Sequence, residues 1–134
     1  MSRILVIDDD VAMRSLLRRT LERAGHRVQE AANGREALRM AAAESFDAII
    51  TDLLMPETDG IEVVLHLRKA HSTVPILAIS GGGRVAGTEY LDMAKTLGAN
   101  AALAKPFEPD HLITLVEGLI AASREASRDC TQNR

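Results

Sequence analysis

The sequence predicts an α/β fold built on a parallel sheet. Apolar runs of strand length alternate along the chain with stretches of helical periodicity. Two of the runs, Ile4-Leu5-Val6-Ile7 and Ala48-Ile49-Ile50-Thr51, have no polar alternation, as expected of strands buried on both faces. At 134 residues the chain suffices for one domain with its own core and is too short for two of ordinary size.

The predicted strands are residues 3–8, 27–31, 47–52, 75–80 and 101–104, the second being the least apolar. Between the first two, Met13, Leu17, Leu21 and Ala24 keep to one face of a helix that Asp10 can cap and Gly25 ends. The alanine-rich stretch 35–44 reads as a second helix. Ile61, Val64, Leu65 and Arg68 mark a third, opened by Asp59-Gly60, and residues 88–97 a fourth, closed by Gly98. A fifth spans 110–123 and carries Leu112, Ile113, Leu115, Val116, Leu119 and Ile120, more than one narrow stripe. Gly118 within it costs roughly 1 kcal/mol relative to alanine, which suggests close packing or a contact surface. The domain is thus expected to occupy 1–123, with 124–134 a polar, disordered tail, too short to be an output domain.

Hydrophobic residues make up 46% of the chain and charged residues 26%, an ordinary soluble composition. A net charge of −3 argues against a surface built to neutralise nucleic-acid phosphates, so no nucleic-acid partner is expected. Cys130 is the only cysteine, which excludes an intramolecular disulfide and a cysteine metal site and fits a cytoplasmic protein. No stretch approaches the roughly 20 apolar residues of a membrane span, so no membrane partner is expected.

The chemistry gathers at strand ends. Asp8-Asp9 closes the first strand and Asp52 the third; if these strands are neighbours, three carboxylates converge at one end of the sheet and need a cation. Ser80 closes the fourth strand and Lys105-Pro106 follows the fifth. The set Asp8-Asp9, Asp52, Ser80 and Lys105-Pro106, with Asp52-Leu53-Leu54-Met55-Pro56 and Asp59-Gly60, resembles the receiver domain of two-component response regulators over about residues 3–122.

The resemblance implies a flavodoxin-like, doubly wound sheet of five parallel strands in the order 2-1-3-4-5, with five helices. It implies that Asp52 accepts a phosphoryl group from a sensor histidine kinase or a His phosphotransfer protein. Mg²⁺ would be held directly by Asp9, Asp52 and the Leu54 backbone carbonyl, and through water by Asp8. The Lys105 ammonium and the Ser80 hydroxyl would neutralise phosphoryl oxygens, and a cis Lys105-Pro106 bond would aim the lysine. The expected role is an interaction switch with an unidentified downstream protein target, not an enzyme beyond its own phosphorylation and dephosphorylation. The expected form is a stand-alone receiver, the alternative being the receiver portion of a longer regulator.

Three departures from the family pattern stand out. Ala102 occupies the position three before Lys105 where many receivers carry a switching Tyr or Phe. The segment between Ser80 and Lys105 is a few residues longer than usual in the family and carries glycines at 81, 82, 83 and 87, so the switch is expected there. Leu54 is apolar at a position that tunes access of water to the phosphoryl bond.

Other chemistries fit less well. An aspartate-nucleophile phosphatase of the haloacid dehalogenase type needs a second acid where Leu54 stands. An FMN carrier is disfavoured by a chain whose aromatics are Phe46, Tyr90 and Phe107. Gly81-Gly82-Gly83 lacks the Lys-Ser or Lys-Thr of a P-loop. His26, His66, His71 and His111 have no ligand spacing and read as surface or helix-face residues.

Overall fold

The computed structural model of the chain describes residues 2–53, 60–70, 72–81, 95 and 98–132, with the backbone alone for 126–132. The strands are β1 (Arg3–Ile7), β2 (Arg27–Ala31), β3 (Ala48–Asp52), β4 (Ile76–Gly81) and β5 (Ala101–Lys105). Four helices lie among the described residues: α1 (Val11–Arg23), α2 (Gly34–Ala43), α3 (Gly60–Lys69) and α4 (Pro109–Gln132). The helix expected over 88–97 falls almost wholly outside the described residues, as does Asp59.

All strand pairs are parallel and the order is β2-β1-β3-β4-β5. This is the flavodoxin-like order, with β1 beside β3 in the register Ile4↔Ala48 to Ile7↔Thr51. The period-2 alternation of strand side chains divides each apolar run between two cores. Leu5, Ile7, Ile49 and Ile76 face α2 and α3, packing with Ala37, Val63, Val64 and Leu67. Ile4, Val6, Ile50 and Leu77 face α1 and α4, packing with Leu17, Leu21, Leu112, Val116 and Ile120. A run apolar at every position is what two covered faces require.

Local chemistry sets the helix ends. Asp10 is the N-cap of α1, its Oδ1 accepting from the N–H groups of Ala12 and Met13 at 3.0 and 3.4 Å. Gly25 follows the helix at φ +97, a conformation open to glycine. Asn33 caps α2 through a 2.8 Å bond from Glu36 N–H.

Two expectations change. Helix α4 continues to Gln132, beyond the end expected at residue 123. Ala121, Ala122, Arg124, Glu125 and Ala126 favour helix and no proline or glycine interrupts them. Arg124 is held back onto the domain by Asp47 at 3.9 Å and Ser2 Oγ at 3.4 Å. Among the described residues nothing packs closely on Gly118, where a Cβ would meet none of them within 4 Å.

Candidate functional site

The parallel register brings the carboxyl ends of β1, β3, β4 and β5 to one edge of the sheet. Asp8 and Asp9 directly follow β1, Asp52 is the last residue of β3, Ser80 is next to last in β4, and Lys105 is last in β5. Asp52 pairs with Ile79, Ser80 with Ala104 and Gly81 with Lys105. Five residues that span most of the sequence thereby meet in one crevice.

Asp8, Asp9 and Asp52 each place a carboxylate oxygen within 4.8 Å of the others. Asp8 and Asp52 are buried and Asp9 is exposed, so the cluster opens to solvent on one side. Lys105 Nζ stands 3.5 Å from Asp8 Oδ2 and 3.6 Å from Asp52 Oδ1, bridging the two buried acids. Ser80 is fully buried, and its Oγ has no hydrogen-bond partner among the described residues. A buried hydroxyl without a partner carries a desolvation penalty. A phosphoryl oxygen in the crevice is one group that would satisfy it.

Burial pushes the Asp8 carboxyl above its ordinary value, opposed by the Asp10 N–H and by the Lys105 ammonium, while the neighbouring Asp9 raises it further. The Asp10 N–H donates to Asp8 Oδ1 at 2.9 Å. Asp8 and Asp52 share the Lys105 ammonium, and the third carboxylate, Asp9, stands beside them.

The donor set fits a hard divalent cation. Mg²⁺ takes six oxygens at about 2.1 Å, which sets adjacent ligands about 3.0 Å apart and opposite ligands about 4.2 Å apart. Carboxylate oxygens within 4.8 Å of one another need only a small contraction to reach that spacing. Leu54, whose carbonyl the resemblance assigns to the metal, lies outside the described residues.

The Lys105–Pro106 peptide is cis, as the resemblance implies. Ala102 sits opposite Ala78 in the sheet, with no aromatic ring at its position. Gly82, Gly83 and Gly87 lie outside the described residues.

Among the histidines, His66 and His111 are on exposed helix surface, as expected, and His71 lies outside the described residues. His26 departs from expectation. Its side chain is only 10% exposed, with Nε2 3.0 Å from Glu117 Oε2 on α4. Sequence could not show this pairing, since the partners are 91 positions apart.

Arg14 is a further residue that sequence reasoning missed. Its Nη1 donates to the Asp8 carbonyl at 2.8 Å and its Nε to Glu30 at 2.8 Å, tying the first turn of α1 to the backbone of the acidic cluster. An arginine in a helix next to an acidic strand end carries no sequence signal for this role. Nothing in periodicity distinguishes it from Arg18 or Arg19.

In a doubly wound parallel sheet the ligand crevice lies at the topological switch point, and here that crevice holds an acidic cluster with a lysine from the last strand. Residues 4–117 match the response regulator receiver domain family, and the chain belongs to it. Over 122 residues, 88% of its length, the chain is 39% identical to the response regulator MprA of Mycolicibacterium vanbaalenii. It is 36% identical over 130 residues, 94% of its length, to the transcriptional regulatory protein ResD of Bacillus subtilis. The chain spans about half the length of these curated relatives, 50% and 51%.

Among solved structures, the receiver domain of the Francisella response regulator 1452 superposes with a TM-score of 0.84 at 29% identity, covering 92% of this chain and 99% of that one. The chemotaxis protein CheY4 of Vibrio cholerae superposes with a TM-score of 0.80 at 35% identity, covering 89% and 98%.

Proposed function

We propose that this domain is a phosphorylation switch in which Asp52 accepts a phosphoryl group from the phosphohistidine of a kinase or phosphotransfer protein. The observation that carries this is the convergence of Asp8, Asp9 and Asp52 on one cation-sized space, with Lys105 Nζ 3.6 Å from Asp52 Oδ1.

The chemistry follows from the groups present. An Asp52 carboxylate oxygen attacks phosphorus, an O–P bond forms as the P–N bond to the donor imidazole breaks, and the imidazole leaves with the electron pair and takes up a proton. Asp9 and Asp52 would hold Mg²⁺ directly and Asp8 through water, with the Leu54 carbonyl a further expected ligand. When bound, the ion supplies positive charge to a phosphoryl oxygen. Lys105, released from its bridge to Asp8 and Asp52, offers its ammonium to a second oxygen. The Ser80 hydroxyl, without a partner among the described residues, donates to a third. On this reading the domain catalyses only its own phosphorylation and dephosphorylation.

The receiver portion of a longer regulator is the better-supported setting, because the curated relatives are about twice the matched length. The expectation of a stand-alone receiver gives way to it. The expectation of no nucleic-acid partner is not carried to the whole protein either. It rests on the charge of this chain alone, and ResD is named as a transcriptional regulatory protein. Among the described residues, no helix is long and apolar enough to cross a membrane.

Incubation with Mg²⁺ and a small-molecule phosphodonor tests the central claim. The wild-type protein is expected to acquire one base-labile phosphate and the Asp52→Asn variant none. Undiminished labelling of that variant, or phosphate stable to base, would remove Asp52 from its role.

A further inference from the structure

Arg68, in the last turn of α3, makes five hydrogen bonds, one for each N–H donor of its guanidinium. Nε and Nη2 donate to the Gly98 carbonyl at 3.0 and 2.9 Å, and Nη2 also to Asn100 Oδ1 at 2.8 Å. Nη1 donates to the Ser72 and Val74 carbonyls at 2.8 and 2.9 Å. Every one of these acceptors is uncharged. The group therefore ties chain segments together by geometry, using a planar fork that a lysine ammonium cannot reproduce.

Asn100 extends the tie. Its Oδ1 also accepts from Ile76 N–H at 2.9 Å, and its own N–H donates to the Ile76 carbonyl at 2.9 Å. Gly98 has φ +132, and a Cβ there would lie 2.7 Å from Arg68 Cγ, so glycine is needed both for the backbone and for the arginine's space. The end of α3 and the entries to β4 and β5 thus form one corner.

The other end of α3 rests on the site. A Cβ on Gly60 would overlap the Asp52 carbonyl oxygen and lie 2.8 Å from Leu53 Cα, while Gly60 N–H donates to the Leu53 carbonyl at 3.0 Å. This ten-residue helix is a strut from the backbone of Asp52 to the start of the strand that ends in Lys105.

We infer that Arg68 is a positioning residue through which α3 carries a change at the Asp52 backbone to the chain entering β5. The inference rests on Asp52 being the phosphoacceptor. A helix moves as a near-rigid body, so displacement at Gly60 displaces Arg68. Its directional bonds then require Gly98 and Asn100 to follow or to break.

Amide hydrogen exchange with and without Mg²⁺ and beryllium trifluoride, a phosphoryl mimic, tests this in the full chain. In the wild type, binding is expected to change exchange at Gly98 to Ala101. In Arg68→Lys that change is expected to be at least about fivefold smaller, with the mimic's affinity for the crevice within about twofold of wild type. Val28→Ala, a cavity in the edge strand, serves as the control for lowered stability and is expected to keep the full response. An equal response in Arg68→Lys, an equal loss in Val28→Ala, or no change at Gly98 to Ala101 in a wild type that binds the mimic overturns the inference. A wild type that does not bind the mimic at all overturns the reading of Asp52 first, and this inference with it.

Discussion

Asp8 is almost fully buried, and the sign of its effect on stability follows from that. Its carboxyl is raised above the ordinary 3.8, chiefly by burial. The folded protein therefore keeps this proton to higher pH than the unfolded chain does. Between 3.8 and the raised value the native state binds more protons, so stability falls as pH rises through that window and the penalty remains above it. In metal-free protein at neutral pH, Asp8→Asn is expected to raise the melting temperature by roughly 2–5 °C. The amide oxygen can still accept from Asp10 N–H and Lys105 without the buried charge. Calorimetry in chelator across pH 3–8 checks this; a variant that melts lower than wild type at neutral pH would mean that the Lys105 ion pair outweighs desolvation.

At the scale of elements, α1 and α4 carry distinct expectations. Val11 and Leu16 on α1 are the large hydrophobic residues exposed among those described, at 67% and 46%. Val11 lies two residues from Asp9, and Leu16 lines a groove with Arg19, Arg23, Pro109 and Ile113. A protein donor must bring its phosphohistidine to Asp52 and so must cover this region, whereas a small donor need not. A Val11→Ala, Leu16→Ala double variant is expected to slow phosphotransfer from the cognate protein about tenfold, through loss of roughly 1.4 kcal/mol of apolar contact. Labelling by a small phosphodonor should stay unchanged, and equal losses with both donors would place the defect in the crevice instead.

Helix α4 contains an exposed glycine with open space around it. Gly118→Ala is expected to stabilise the domain by about 1 kcal/mol, read from the urea midpoint at constant slope. Destabilisation would show that a neighbour approaches Gly118 closely.

For the whole molecule, a metal held by the clustered carboxylates of the crevice would couple its binding to folding. A ligand that binds only the native state stabilises it as RT ln(1 + [L]/Kd), about 2.7 kcal/mol at a hundredfold excess over Kd. Mg²⁺ is therefore expected to raise the melting temperature in a concentration-dependent way. Asp9→Ala should lose most of that shift, since a directly ligating carboxylate contributes more than one acting through water. A full shift in Asp9→Ala would assign the metal to other oxygens. Binding should also weaken as pH falls toward the Asp8 titration, because protonation removes a negative charge from the pocket.

How much of this was legible in the sequence depended on whether the signal was local. The apolar runs, the Asp10 cap, the Gly25 terminator and the strand-end position of each acid depend on neighbours within a few residues, so composition and spacing determined them. The resemblance supplied the strand order, which the sheet has, and the proposal of Asp52 as phosphoacceptor, because the acids, serine and lysine recur in a fixed order. The reach of α4 beyond residue 123 was not read, because the polar stretch that follows lacks the apolar periodicity that marks a helix. Good helix formers continue a helix already nucleated by a packed face, and contacts from Arg124 to Asp47 and Ser2 hold the continuation to the domain.

Long-range pairing was beyond the sequence. His26 with Glu117, Arg14 on the Asp8 carbonyl, the bridge of Lys105 to Asp8 and Asp52, and the five bonds of Arg68 join residues whose separation carries no periodicity. The sequence by itself determined at which strand ends the acids, the serine and the lysine stand. The tertiary structure alone decided how closely they approach, which of them lose water, and which arginine is spent on backbone carbonyls, because distance, burial and hydrogen-bond direction exist only once the sheet has brought its strands together.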